Sequence, residues 1–192
     1  MRWAIVIEGT EGNLGAYVPD LPGCVTTGDT LEEVRAELRK QGEARARQDD
    51  EQDLRGQLLD QLIERNPFDP PASLVDYEVE SRLQSAAQDL QRRGVDPSQA
   101  GIDWNALRNE QRASAEAAVK ATLLLDSIVG QEKLEETEEE LSAEIGRAAE
   151  VLKKSPEAIR AQMMKDGTLD RIRSRLRREK AVDFMKVHAK LQ

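Results

Sequence analysis

The sequence predicts a mainly α-helical protein: an elongated multi-helix body with helical-hairpin arms, preceded by a small N-terminal ββ(β)α unit. Of its 192 residues 34% are charged, 39% are hydrophobic and only 3% are aromatic, which suits amphipathic helices better than a β-sandwich or barrel. β-type runs are confined to about the first thirty residues, and helical stripes between capping residues fill the rest. We therefore expect an N-terminal unit over 1–40 and a helical body over 45–192.

An antiparallel hairpin is the first predicted feature. Two β-type runs, residues 3–7 and 14–18, flank the turn residues Glu11-Gly12-Asn13, which tolerate a positive φ. Residues 24–27 indicate a third short strand. A unit of about forty residues buries too little surface to be stable unaided, so we expect it to rest on another surface.

A helix is predicted to follow directly. Thr30 and Glu33 have the spacing of a capping box that starts a helix, and leucines and an isoleucine recur at helical intervals up to Leu62 and Ile63. Gly42 and Gly56 would each weaken such a helix by about 1 kcal/mol relative to alanine. The sequence therefore leaves open whether 31–65 is one helix or two.

Prolines, glycines and capping residues divide the rest of the chain. The prolines of the segment 66–71 end the first helical region. Amphipathic stripes then predict helices over about 74–90, 104–128, 138–152, 156–163 and 168–187. Asp103 is the predicted cap of the second of these helices, Thr137 and Glu140 are the predicted capping box of the third, and Ser155 before Pro156 is the predicted cap of the fourth. The short connectors predict antiparallel neighbours, and the whole is a β-containing head on a six-helix body.

Composition argues against several classes of protein. The formal net charge of −9 is unfavourable for binding a nucleic-acid backbone, so no nucleic-acid partner is expected. No apolar stretch approaches about 18 residues and no signal pattern follows Met1, so we expect a cytoplasmic protein without a membrane partner. Cys24 is the only cysteine, which excludes an internal disulfide and fits a reducing compartment.

Catalytic, cofactor-binding and metal-binding residues are not expected. His188 is the only histidine, and a lone histidine is usually a solvated or packed side chain. Gly9, Gly12 and Gly15 follow a hairpin pattern and not that of a phosphate-binding loop. The acidic run over 132–140 could attract cations, but a solvated helix start is the simpler reading.

The C-terminal segment is strongly basic. Residues 168–190 contain eight arginines and lysines but only three acidic residues. Such a helix could contact nucleic acid or an acidic partner, or it could pack beside the acidic helix starts of its own body. Because the chain as a whole is acidic, we favour the second interpretation.

Apolar side chains that stay partly uncovered are the candidate binding residues. Exposed apolar patches mark interaction surfaces, and methionine adapts to partners of varied shape. The candidates are Phe68, Leu74, Val75, Tyr77, Met163, Met164 and Phe184.

Six segments then carry a resemblance to a known family. They are Asn66-Pro-Phe-Asp-Pro-Pro-Ala-Ser-Leu-Val75, Asp103-Trp-Asn-Ala-Leu107, Ala121-Thr-Leu-Leu-Leu-Asp126, Thr137-Glu-Glu-Glu-Leu141, Ser155-Pro-Glu157 and Arg178-Glu-Lys-Ala-Val-Asp-Phe184. In this order the segments resemble the C-terminal domain of bacterial trigger factor, a ribosome-associated, ATP-independent chaperone. The resemblance covers about 45–192 and implies a helical body whose two arms line a cradle for unfolded or nascent polypeptides.

Other parts of that family have no counterpart in the sequence. A ribosome-docking loop of the Gly-Phe-Arg-x-Gly-Lys type is missing, and no stretch has room for the FKBP-like prolyl isomerase domain. The resemblance therefore implies client binding without ribosome docking or enzymatic activity. The expected function is that of an ATP-independent holdase.

The N-terminal residues resemble a different family. Gly15-Ala-Tyr-Val-Pro-Asp-Leu-Pro-Gly23, with Gly28-Asp-Thr30 and Glu32-Glu33-Val34, is similar to the start of the HicB-like antitoxin fold. The resemblance implies a docking edge, and we expect a homodimer through this β unit because its strands leave backbone groups unpaired. The alternative function is a HicB-like regulatory module that recruits a toxin-like partner, with the helical body as its scaffold.

Overall fold

A computed structural model of the chain describes residues 4–10, 12–20 and 23–189. The predictions that involve Trp3, Glu11, Leu21-Pro22 and Lys190 lie outside these residues. The strands are β1 (Val6–Thr10), β2 (Asn13–Tyr17) and β3 (Val25–Gly28), and the helices are α1 (Leu31–Arg65), α2 (Ala72–Arg92), α3 (Trp104–Glu132), α4 (Glu138–Leu152), α5 (Pro156–Lys165) and α6 (Thr168–His188). The chain forms two compact units, residues 1–57 and 58–192.

The first unit contains a three-stranded antiparallel sheet in the order β1-β2-β3. Its first two strands pair from Val6–Tyr17 to Thr10–Asn13, which confirms a hairpin and the ββ(β)α order. The first strand lies closer to the turn than the predicted run 3–7. At Gly9, with φ +117°, an added Cβ would lie 2.2 Å from the carbonyl oxygen of Asn13, so a side chain there would block the pairing. The likeness to the HicB-like fold stays a prediction.

One face of this sheet forms a small core with the start of α1. The core consists of Leu14, Ala16, Val18, Cys24, Val34 and Leu38, with Ile7 packed against it. The predicted capping box is present, because the Thr30 N–H donates to the Glu33 carboxylate and the Glu33 N–H donates to the Thr30 hydroxyl. Helix α1 is a single helix through Gly42 and Gly56, which answers the question that the sequence left open.

In the second unit, α2 and α3 pack as an antiparallel pair. Two ion pairs fix the direction, because Asp76 contacts Arg112 while Glu80, one turn further along α2, contacts Arg108, one turn earlier in α3. The pair buries a core of Val75, Val79, Leu83, Ala115 and Val119. The carboxylate of Asp103 accepts hydrogen bonds from two N–H groups at the start of α3, both at 3.0 Å, so the predicted cap is confirmed.

Helices α4, α5 and α6 share a second core, formed by Leu141, Ile145, Ala149, Ile159, Leu169 and Leu176. The predicted caps start α4 and α5: Thr137 and Glu140 form a full capping box, and the hydroxyl of Ser155 accepts from the N–H of Ala158. A third core joins α3 to α6 through Leu125, Ala181 and Val182, with Leu59 and Leu62 of α1 packed against it. Three small cores, in place of one large one, leave many helical faces open to solvent.

No helix in the described part of the chain is both long enough and apolar enough to cross a membrane.

Candidate functional site

The structure separates the seven candidate residues by exposure. Leu74 is 42% exposed, Tyr77 67% and Met164 65%. Phe68, Met163 and Phe184 are half-buried. The prediction that Val75 stays uncovered is wrong, because its side chain is only 3% exposed and lies in the core between α2 and α3.

Leu74 and Tyr77 begin a stripe along α2 that we call the α2 outer face. Its members recur at alternating intervals of three and four residues and are all exposed: Leu74, Tyr77, Ser81, Gln84, Gln88 and Gln91. This spacing places them on one side of the helix, roughly opposite the buried row of Val75, Val79 and Leu83. In a chain with 34% charged residues, the stripe contains none.

The charged side chains of α2 are all used in ion pairs. Every charged side chain of the helix forms an ion pair, with α3 or within α2 itself: Asp76–Arg112, Glu80–Arg108, Glu78–Arg82 and Asp89–Arg92. Arg82 also donates to Gln111 and Ser114 of α3. The α2 outer face can therefore take up apolar and hydrogen-bonding groups without first breaking an ion pair.

Helices α4 and α5 expose a second group of apolar side chains. Val151 is 81% exposed, Leu152 54% and Met164 65%. Met163, by contrast, packs against the core of α4, α5 and α6. Sequence reasoning missed both Val151 and Leu152, because periodicity does not show that the core ends before the last turn of α4.

Phe184 is partly covered by its own helix. Its ring lies 4.1 Å from that of His188, and the carbonyl oxygen of Phe184 is 2.8 Å from Nδ1 of the histidine. Val187, between them in sequence, is 80% exposed. The only histidine is thus a packed and hydrogen-bonded surface residue.

The basic residues of α6 contact the acidic residues of its own body, which confirms the interpretation we favoured. The contacts are Arg178–Asp126, Arg177–Glu136, Arg173–Glu136, Arg175–Glu144 and Lys180–Glu140. Arg178 reaches both carboxylate oxygens of Asp126, at 2.7 and 2.9 Å. The charge that looked available for an outside partner is used to hold α6 in place.

Two glutamates, Glu136 just before α4 and Glu140 in its first turn, are the acidic partners of three of these five basic residues. Hydrogen bonding from Arg177 lowers the pKa of Glu136, and hydrogen bonding from Lys180 lowers the pKa of Glu140. Glu136 also raises the pKa of Arg177. Glu140 serves twice, because it also closes the capping box of α4.

The described residues contain no group of three histidine, cysteine or acidic side chains that could hold a metal ion. Cys24 is buried in the core of the first unit.

Comparisons with known proteins agree with the helical part of this description. Residues 30–186 match the model of the family described as the C-terminus of the bacterial trigger factor protein. The match begins about fifteen residues before the predicted boundary at residue 45 and includes the first turns of α1.

Curated relatives match over a similar part of the chain. The trigger factor of Koribacter versatilis is 36% identical over 88% of this chain and 38% of its own length. Those of Solibacter usitatus and Geobacter sp. (strain M21) are 30% and 32% identical, over 81% and 85% of this chain and 37% and 38% of their own lengths. The chain thus spans less than two-fifths of the relatives it matches, and no solved structure matches it.

Proposed function

Because the chain belongs to the family of the bacterial trigger factor C-terminus, we propose that it is an ATP-independent holdase for unfolded or nascent polypeptides. Clients bind at exposed apolar side chains of the second unit, above all at the α2 outer face. The supporting observation is that Leu74 and Tyr77 stand exposed on a stripe without charges, while the nearby charges of α2 are paired. The cytoplasmic location expected from the sequence is part of the same proposal.

The composition of the stripe suits an unfolded chain. Such a chain exposes apolar side chains together with unpaired backbone N–H and C=O groups. Leu74 and Tyr77 offer apolar area, and the serine and glutamines that follow can donate to and accept from a client backbone. A charged stripe would have to be desolvated first, at a cost that apolar contacts would have to offset.

The expected affinity is low. Burying about 300 Å² of apolar surface contributes roughly 7 kcal/mol, and association costs of about 4 kcal/mol or more leave at best about 3 kcal/mol, which is millimolar-scale binding for one such contact. Weak binding lets clients leave without ATP. The exposed apolar side chains of α4 and α5 add a second contact, which raises the avidity for long clients.

In this proposal the two arms that the family resemblance implies correspond to the helical pairs α2–α3 and α4–α5. The α2–α3 pair has its own buried core and the α4–α5 pair shares one with α6, so each can present apolar side chains on its outer side without unfolding. No covalent step and no cofactor enter the proposed function.

The test is suppression of aggregation of a chemically denatured client, followed by light scattering without ATP. We expect the full chain to lower scattering at a few-fold molar excess, and the variant Leu74→Ser/Tyr77→Ser to do so several-fold less well. The matched control is Val95→Ser/Ile102→Ser, because these residues are 41% and 38% exposed in the α2–α3 connector and not on the stripe.

Circular dichroism and thermal unfolding separate loss of binding from loss of structure. Both double variants should unfold within a few degrees of the unaltered chain, since the replaced side chains are exposed. Unchanged scattering with the full chain would contradict the holdase proposal. Equal suppression by the Leu74→Ser/Tyr77→Ser variant and the control would contradict its assignment to the α2 outer face.

A further inference from the structure

The middle of α1 is a solvent-exposed stretch of helix. Residues 43–53 are all exposed, over three consecutive turns. An isolated helix of this length is marginal in water, and one that is polar all round needs a partner or a network of side-chain pairs. Among the residues that the structure describes, Arg35, Arg39, Asp49 and Asp53 form no ion pair.

These four charges belong to one stripe, which we call the α1 seam. It consists of Arg35, Arg39, Gly42, Ala46, Asp49 and Asp53. The intervals are four, three, four, three and four residues, the spacing at which one helix packs along another. From its N-terminal end the seam reads as two arginines, two small residues and two aspartates.

This order is self-complementary when two copies run antiparallel. If Gly42 of one copy is opposite Ala46 of the other, then Arg39 is opposite Asp49 and Arg35 is opposite Asp53. The two-fold axis repeats each contact, so four pairs of opposite charges form. Glycine and alanine at the centre let the two helix backbones approach closely, as small residues do at helix crossings.

A groove in the first unit follows the same side of α1. It has a volume of about 670 Å³, and Ile5, Val18, Leu38, Gly42 and Ala46 supply its apolar lining. Arg39 and Asp49 also line it, so the groove follows the four central residues of the seam. A helix laid along the seam would cover Ile5, which precedes β1 and is 40% exposed, as well as pairing the charges.

We propose that a second copy of this chain occupies this groove, so that the protein forms a two-fold symmetric dimer through antiparallel packing of α1 seams. The interface is isologous, as in most homodimers. This inference is independent of the holdase proposal. It places self-association on α1, whereas the sequence predicted it at the β unit in general.

Paired charge reversals give a decisive test on the full chain. The variants Arg35→Asp/Arg39→Asp and Asp49→Arg/Asp53→Arg each place like charges opposite one another in their own homodimer. Sedimentation equilibrium should show a dimer for the unaltered chain and a dissociation constant about tenfold or more higher for each variant. An equimolar mixture of the two variants should restore the dimer, because all four pairs are then of opposite charge.

The control variant is Glu51→Arg, which reverses a charge of the same acidic segment on the opposite side of the helix. It should dimerise as the unaltered chain does, and circular dichroism should show equal helix content in all variants. A monomer at all concentrations, a dimer unaffected by both reversals, as pairing of sheet edges would give, or variants that fail to restore each other would each overturn the proposal.

Discussion

Helix α6 and the α2 outer face differ in what their exposed side chains have left to bind. Helix α6 is rich in arginine and lysine, and five of its basic side chains are held by acidic groups of α3, α4 and the segment between them. The α2 outer face contains only leucine, tyrosine, serine and glutamine. In this chain the basic residues of α6 stabilise the fold, whereas the uncharged stripe on α2 is the candidate binding surface.

The physical reason lies in how each group is satisfied. A guanidinium group that already donates to a carboxylate gains little from an outside anion, because the internal pair must first be broken. An exposed leucine or tyrosine has only water to lose, and release of that water favours association. The comparison therefore predicts that changes in α6 affect stability, whereas changes on the α2 outer face affect binding.

The largest expected effect comes from breaking the core beneath α6. Val182 is fully buried against Leu125 and Ala181. The variant Val182→Asp should lower the free energy of unfolding by about 3 kcal/mol or more, because it buries an unpaired carboxyl group. Chemical denaturation measures this change.

Val187→Asp is the matched control, on the same helix but at an 80% exposed position. It should change the free energy of unfolding by less than about 0.5 kcal/mol. If both variants were equally stable, α6 would not be anchored through this core.

A smaller effect should follow from removing the central acceptor of the ion-pair network. Glu136 accepts from Arg177 and contacts Arg173, and its side chain is only 11% exposed. Glu136→Gln should lower the free energy of unfolding by about 1 kcal/mol, a value discounted for the partial exposure of the arginines. Asp183→Asn, which breaks the exposed pair with Lys186, should change it by less than about 0.5 kcal/mol.

The pH dependence of stability should report the same network. The folded chain lowers the pKa of Glu136 and of Glu140 from the ordinary value of 4.5. Groups with a lowered pKa stabilise the fold above their unfolded pKa, and this contribution is lost as the pH falls through the folded pKa. Thermal unfolding should thus be insensitive to these groups between about pH 6 and 8 and fall below about pH 4.5.

Glu136→Gln should show a shallower decline in acid than the unaltered chain. An equally steep decline in that variant would mean that other carboxyl groups are responsible for the acid sensitivity. Asp166, whose pKa is lowered by hydrogen bonds from Thr168, is another carboxyl group that would contribute in this way.

Much of the fold could be predicted from sequence because its signals are local. The capping boxes of Thr30–Glu33 and Thr137–Glu140, the cap at Asp103 and the hairpin around Gly12 all depend on a few adjacent residues. The continuity of α1 could not be predicted, since the cost of Gly42 and Gly56 is small beside the many helix-forming residues around them.

The candidate surface was predicted less well, because exposure depends on packing that is not local. Leu74 and Val75 are neighbours in sequence, but a helix turns them to different sides, and only α3 decides which side is buried. Val151 and Leu152 are exposed because the core shared with α5 ends before them. The hydrophobic periodicity of α4 alone does not show where this core ends.

Site-specific photo-crosslinking to a denatured client tests the central comparison most directly. A photoreactive phenylalanine analogue would replace Tyr77 on the α2 outer face in one sample and Arg171, an exposed residue of α6, in another. We expect strong client crosslinking from position 77 and little from position 171. Crosslinking that is strong at 171 and weak at 77 would contradict it.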